Sequence, residues 1–446
     1  MPDDHEEPGS RAPHDQTCGL IVKRRAVCVW LGGLASHRQG LVKRLVRSHG
    51  SVAEIIDCSP ERLTAELAAS AAYGRRTAHT PGPLTRDAGA GATESEPDGG
   101  AAVSDDANEA RTFHSILGIP PQRYLEWAES RGTGHAVVAW SDPLYPPALR
   151  QLADPPLCLF LRHRCSTEDL VRRLETLCAQ PAVAVVGTRG PSIYGEEMAT
   201  LLGRDLTTCG ILVVSGLAMG IDALAQAAAI NATREKRTPT TVAVLGCGAD
   251  VVYPQTNRRL YFQIASSGLV LSEFAWNVPA RPWRFPARNR VMAGLTRAVV
   301  VVEGAERSGA RLTADFALEL GREVLAVPGE AGKKLTSAPH RLLRQGAALC
   351  ESADDVLAAI TPLGGEPYRA ASPAAKQVDG LQQALDNGSG VVTHVLQSLL
   401  AGPMSVDQVS RRCAIPIHTA SAALSELEVD GLVHLLSGGV YRLRRG

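Results

Sequence analysis

The 446-residue sequence predicts an α/β protein organised around a doubly wound parallel sheet, and three observations carry that prediction. Between residues 180 and 355, short apolar runs (AVAVVG, ILVVSG, TVAVLG, LVLSE, AVVVVE, EVLAVPG) alternate with helical stretches at 195–209, 220–230, 257–267, 287–295 and 309–320. The runs are continuous Val, Ala and Leu rather than alternating apolar and polar, the pattern of strands buried on both faces. The chain is also too long for one ordinary core, so further modules are expected on either side of the sheet.

Taken in order, residues 1–18 are rich in Pro, Asp and Glu and lack an apolar period, which predicts a disordered tail. Helical spacing from Val27 to Ala72 predicts three or four short helices in a domain spanning 19–73, one of them capped by Ser59 ahead of Pro60. Residues 74–110 hold almost no large apolar side chain and are expected to form a disordered insertion, because such a segment cannot offset its ordering entropy. A connector over 111–165 follows, with a helix at 113–131, the strand HAVVAW and a turn-rich stretch leading into the main domain at 166–360. Residues 361–388 read as a Pro/Gly/Ser/Ala linker. In 389–446 a helix (VVTHVLQSLLAG), a second capped by Ser405, a third from Pro416 to Asp430 and a hairpin turning at Ser437 to Gly439 give the order of a winged helix.

The 46 Lys and Arg balance the 46 Asp and Glu, so any polyanion site must be a local basic patch. The ten cysteines are scattered without zinc spacing, which predicts small buried hydrophobes in a reducing compartment, with no metal and no cofactor. The polar, acidic N-terminus and the absence of a run near the ~20 apolar residues of a membrane span predict a cytoplasmic protein with no membrane contact.

In such a sheet, ligands collect beyond the carboxyl ends of the strands. The first of these loops offers Gly187, Thr188, Arg189 and Ser192, a set of backbone N–H groups, hydroxyls and a guanidinium suited to phosphate. The second, Ser215, Gly216, Leu217 and Ala218, is glycine-containing and permits close approach, with Asp222 expected to cap the next helix. After the third strand, Asn257 is placed to cap a helix opening with Arg258 and Arg259. The fourth ends at Glu273 and leads to Trp283, Phe285, Arg288, Asn289 and Arg290, where aromatics beside arginines suit stacked bases and neutralised phosphates. The fifth ends at Glu303 and leads to Ser308, Gly309 and Thr313, a second anion cradle at a helix start.

Known nucleotide motifs do not fit these loops. Gly304 and Gly309 have Walker A spacing but continue Ala310-Arg311, so the lysine and the magnesium-binding hydroxyl are missing. No GxGxxG is present, nor a GxSxG elbow or an HExxH helix. Glu273 and Glu303 are the strand-end carboxylates placed to bind bases, orient arginines or act as general acid and base. Binding rather than catalysis is the simpler reading. The alternative is a nucleotide- or phosphosugar-binding enzyme of phosphoribohydrolase type, or a nucleotide sensor.

Read together, the strings AVVGTRGPSIYG, SGLAMGIDALA, VLGCGADVVYP, LSEF, FPARNRVMAGL, VVVEGAERSGARLTADFALELGREVLAVPG and HRLLRQGA resemble the DNA-processing protein A (DprA/Smf) family over residues 140–355. That resemblance implies a Rossmann-like domain, an N-terminal SAM-like or helix-hairpin-helix domain and a C-terminal winged helix. It further implies a homodimer, formed through the Rossmann-like domain, that binds and protects single-stranded DNA and loads RecA recombinase during natural transformation. By motif position Arg189 is then the main phosphate-binding arginine. Gln255 stands where the family usually has a basic residue, which shifts the expected phosphate contacts to Arg258 or Arg259. Met219, Gln226 and Ala338-Pro339-His340 also depart from the family's pattern. A recognition helix at 416–430 with no Arg or Lys is a poor polyanion binder, which favours a protein-contact role for the winged helix.

Overall fold

The computed structural model describes residues 13–77, 99–232, 239–361, 390–399, 403–429, 432–436 and 439–443, in two units, 1–367 and 368–446. The expected tail at 1–12, the middle of the insertion at 78–98 and the linker at 362–388 lie outside the described residues.

Among the described residues of the first unit, nine strands form one sheet: β1 His135–Ala139, β2 Cys158–Arg162, β3 Ala182–Val186, β4 Leu212–Ser215, β5 Thr241–Val244, β6 Leu269–Ser272, β7 Ala298–Val301, β8 Glu323–Ala326 and β9 Ala348–Leu349. Their order is β1-β2-β6-β5-β4-β3-β7-β8-β9. From β6 to β9 every pairing is parallel, while β2 runs antiparallel to β6 and β1 antiparallel to β2. The doubly wound prediction therefore holds with a two-strand antiparallel extension at one edge. Strand β2 lies within the stretch expected to be turn-rich, where its five residues CLFLR are bracketed by prolines and polar residues.

Every residue of β3 to β7 is buried, which is why these strands carry no polar alternation. One face packs on α7 (Thr167–Ala179), α11 (Arg284–Leu295), α12 (Gly309–Glu319) and α13 (Ser337–Arg344). The other is covered by α8 (Ile193–Thr208), α9 (Ile221–Ala232), α10 (Arg258–Ser267) and α14 (Ala353–Ile360). Val185 lies opposite Val300 in the β3–β7 pairing, where the winding direction reverses.

The N-terminal region is α1 (Pro13–Ser48), α2 (Val52–Ile56), α3 (Pro60–Thr77), α4 (Gly99–Leu117) and α5 (Pro121–Glu129). Helix α1 corrects two expectations. It begins inside the predicted tail, and it joins the first two predicted short helices through a kink at Arg38 (φ −142°, ψ 57°). Residues 26–31 are buried all round because α1 runs between the other helices and the β1–β2 edge of the sheet. Trp30 donates its indole N–H to the Ile116 carbonyl at 3.1 Å, and Trp276, from the loop after β6, donates to the Ala128 carbonyl at 3.0 Å. The helices thus share a core with the sheet edge instead of forming a separate body.

The predicted insertion is corrected at both flanks: α3 runs through Thr77 and α4 begins at Gly99. A shortage of large apolar groups does not preclude helix where Ala, the strongest helix former, is abundant. Glu109, inside the predicted insertion, pairs with the guanidinium groups of Arg281 at 2.9 Å and of buried Arg284 at 2.6 Å. The single helix expected at 113–131 is broken between Leu117 and Pro121.

The second unit contains α15 (Val391–Leu399), β10 (Met404–Ser405), α16 (Val406–Cys413), α17 (Ile417–Val429), β11 (Val433–Leu436) and β12 (Val440–Leu443), with sheet order β10-β12-β11. Ser405 and Gln408 form the reciprocal cap that opens α16. Leu396, Val409, Leu424 and Leu427 close a small core of winged-helix form.

Candidate functional site

Beyond the carboxyl ends of β3 and β7, at the reversal point of the sheet, a cleft of about 540 Å³ opens between the loops predicted to bind. Arg189, exposed on the first loop, lies over the Phe285 ring at 5.8 Å, and the Tyr253 ring packs against Phe285 at 5.4 Å. Gly187, Thr188, Gly216, Ala218, Asn289 and Thr313 also contribute to the lining.

Facing this aromatic corner is the amino end of α12. Ser308 holds the N-cap position without bonding a backbone N–H, and its hydroxyl is buried without a protein partner. The first-turn N–H groups of a helix lack intrahelical acceptors and carry the positive end of its dipole, so this end can receive an anion. Lys334, from the loop after β8, lines the same cleft. It is also part of a neighbouring groove holding Arg307, Lys333, His340, Arg341 and Arg344, in which Glu306 is paired to Arg341. Sequence reading missed Lys334, although the question it put to the other strand ends, applied to β8, reaches the pair Lys333-Lys334.

Other predicted residues are placed differently. Ser192 donates its hydroxyl to one oxygen of buried Glu303 at 2.5 Å and its backbone N–H to the other at 2.9 Å, and it caps α8 through Gly195 N–H at 3.2 Å. Glu303 therefore clamps the first loop and does not line the cleft. In the second loop, the Ser215 hydroxyl donates to the Val185 carbonyl at 2.7 Å. The N–H groups of Gly216 and Ala218 go to Asp222 at 3.0 and 3.4 Å, and that of Leu217 goes to the Gln226 side chain at 3.2 Å. This loop shapes the cleft wall but has no N–H to spare among those three.

A Cβ on Gly216 would strike the Arg288 guanidinium, so this glycine makes room for an arginine of the protein. Arg288 lies buried in the cleft floor, donating to the Val244 carbonyl and to Asn289. Burial pushes the Asp222 carboxyl up, opposed by the charge of Arg288. Asn257 does not cap α10. Its amide donates to the carbonyls of Leu217 and Ala218 at 2.9 and 3.1 Å, tying the third loop to the second. Arg258 and Arg259 are exposed on the first turn of α10 and do not line the cleft, and Arg258 lies over Phe262 at 5.4 Å.

Arg290 is removed from the site altogether. It donates to Glu273 at 2.5 Å and lies 3.3 Å from Asp154, in a pocket shared with Gln39 and Lys43 of α1. Burial pushes the Glu273 carboxyl up, with Arg290 and Lys43 opposing it. This pair joins the N-terminal helices to the sheet. Among the described residues no group of three or more His, Cys, Asp and Glu is arranged to hold a metal, and no helix is long and apolar enough to cross a membrane.

Fold and cleft together define a Rossmann-like α/β protein that carries a winged helix. Residues 136–361 match the family model for DNA recombination-mediator protein A, and residues 371–439 match the DprA winged helix domain. The chain belongs to the DNA recombination-mediator protein A family. It is 34% identical over 344 residues to Protein Smf of Escherichia coli strain K12, covering 76% of this chain and 84% of that one. It is 39% identical over 217 residues to the DNA processing protein DprA of Streptococcus pneumoniae, covering 49% of this chain and 71% of that one. Similarity extends to the structure that describes the single-stranded DNA binding mode of DNA processing protein A from Helicobacter pylori, at a TM-score of 0.43 and 26% identity, covering 50% and 93% of the two chains.

Proposed function

We propose that the cleft binds single-stranded DNA, and that the protein shields the strand in the cytoplasm and delivers it to RecA recombinase during natural transformation. The observation that supports this most is the meeting, in one cleft, of an aromatic corner (Phe285 and Tyr253) with cations (Arg189 and Lys334) and an open helix end (Ser308 and Gly309). Bases stack on aromatic faces for about 1–3 kcal/mol each, irrespective of sequence, while phosphates are neutralised beside them. Bases in a duplex are already stacked and paired, so the corner favours an unpaired strand. The basic groove beyond Lys334 gives the backbone a continuation.

A binding role accounts for the two strand-end carboxylates better than catalysis does, since Glu303 is held by Ser192 and Glu273 by Arg290. The proposed homodimer rests on β9, an edge strand whose Leu349 is exposed. Replacing Leu349 by Glu is expected to shift sedimentation to the monomer, and an unchanged profile would remove this surface from consideration.

The test of the main reading is competition for a labelled single-stranded oligonucleotide. Unlabelled single strand should displace it well below the concentration needed for duplex of the same length or for mononucleotides. Equal displacement by duplex, or displacement by mononucleotides alone, would replace the reading with duplex binding or nucleotide sensing respectively.

A further inference from the structure

Outside the cleft, three side chains of the N-terminal helices form a relay. The Cys58 sulfur, between α2 and α3, lies 3.5 Å from Nδ1 of His49, and Nε2 of that ring lies 2.7 Å from a carboxylate oxygen of Glu66 on α3. The other Glu66 oxygen accepts from Arg62 at 2.8 Å. Arg62 first, and His49 with it, holds the Glu66 carboxyl below the usual carboxylate range.

An ionised carboxylate can only accept, so the ring proton of neutral His49 resides on Nε2 and points at Glu66. Nδ1 is left with its lone pair toward the Cys58 thiol. The imidazolium formed on taking the thiol proton would donate from both nitrogens, and it lies just beyond the carboxyl end of α1, where the aligned carbonyls stabilise a cation. Side-chain exposure is 10% for His49 and 33% for Glu66, and Cys58 is half-buried, so a small solute reaches the sulfur while the base is shielded. The sulfur also lies 3.5 Å from the Glu54 carbonyl, an acceptor that aims the S–H but cannot remove its proton.

The protein contains its own contrast. Cys165 also faces a histidine, at 3.6 Å from Nδ1 of His163, but that Nδ1 lies 3.1 Å from the Cys165 carbonyl and must carry the proton it donates there. It cannot accept one from a thiol. Burial pushes the Cys165 and Cys178 thiols up, and Cys209 up to about 11. Cys28, Cys158, Cys247 and Cys350 are buried, and Cys413, which like Cys58 donates to a backbone carbonyl, has no histidine ring nitrogen among its hydrogen-bond partners in the described residues.

We propose that Cys58 is a peroxide-reactive thiol, with His49 as the base that takes its proton and Glu66 as the positioning residue that fixes the ring tautomer. The sulfur attacks one oxygen of hydrogen peroxide, an S–O bond forms and the O–O bond breaks. The departing hydroxide takes the proton held by His49 and leaves as water. Cysteine is oxidised by two electrons to sulfenic acid, peroxide is reduced to water, and neutral His49 is regenerated.

The test exposes the reduced full-length chain to limiting hydrogen peroxide with dimedone present and maps adducts by peptide mass spectrometry. Cys58 should carry at least about tenfold more adduct than Cys165 or Cys413, and His49→Gln should lower it by about a hundredfold or more, the low end of what a positioned general base supplies. Glu66→Gln, whose amide can donate to Nε2, should move the proton to Nδ1, visible in the ring 15N shifts, and reduce labelling, whereas Glu66→Asp should restore much of it. Adducts on Cys165 or Cys413 at the level of Cys58 in the wild-type protein would overturn the proposal without any variant. Unchanged Cys58 labelling in a His49→Gln protein of unchanged melting temperature would do the same.

Discussion

Arg288, Asn289 and Arg290 are consecutive in the chain yet end in different places. Neighbours two apart on a helix point to nearly opposite sides, so Arg288 enters the cleft floor while Arg290 reaches α1 and Glu273. A linear reading sees three groups at one strand end and assigns them together. Only the helix phase, set by where Val291 and Met292 bury themselves, separates them. The same limit hid the role of Glu303, since nothing near it in the chain announces that Ser192 will meet it. Glycine loops, Arg189 and Phe285 were legible because residue type and position after a strand suffice to place them. Replacing Arg290 by Ala leaves Glu273 buried without its cation, and removing one partner of such a pair typically costs about 3–5 kcal/mol. Chemical denaturation should show a loss of that order, while the salt dependence of DNA binding stays as in the wild type. A change in the salt slope would return Arg290 to the binding surface.

At the scale of elements, strands were legible and helix ends less so. Continuous apolar runs mark β3 to β8 because both faces of the sheet are covered, whereas β2 and the start of α1 carry signals that composition alone contradicts. Two elements make measurable claims. Helix α16 ends at Ala414 in the left-handed conformation (φ 53°), where glycine carries no Cβ penalty. Ala414→Gly should stabilise the winged helix by about 0.5–1 kcal/mol, with a loss on substitution contradicting the cap geometry.

His37 precedes the kink of α1, and burial together with Arg284 and Arg281 lowers its pKa from 6.5 to about 4. The unfolded chain then binds a proton between those values that the folded chain refuses. Stability contributed by neutral His37 is present above pH ~6.5 and is lost as pH falls toward 4. His37→Gln should flatten that part of the melting profile. An equally steep acid limb in the variant would place the titration elsewhere.

For the whole molecule, a formal net charge of zero coexists with a cationic cleft because the basic side chains gather locally while acids pair elsewhere, as Asp154 and Glu273 do. Helix α17 carries Glu426 and Glu428 and, among basic side chains, only His418, so it has little to offer a phosphate backbone. Removing residues 368–446 is expected to change the affinity for single-stranded DNA by less than about twofold, and a much larger loss in a binding titration would reassign the winged helix to the DNA. The central claim is that the strand lies in the cleft at the β3–β7 reversal. It is tested most directly by the salt dependence of single-stranded DNA binding in the wild type and in the Arg189→Ala, Lys334→Ala double variant. Two lost phosphate contacts should flatten the slope of log K against log salt by about 1.4, at about 0.7 per contact on single strands, whereas an unchanged slope would place the strand elsewhere on the protein.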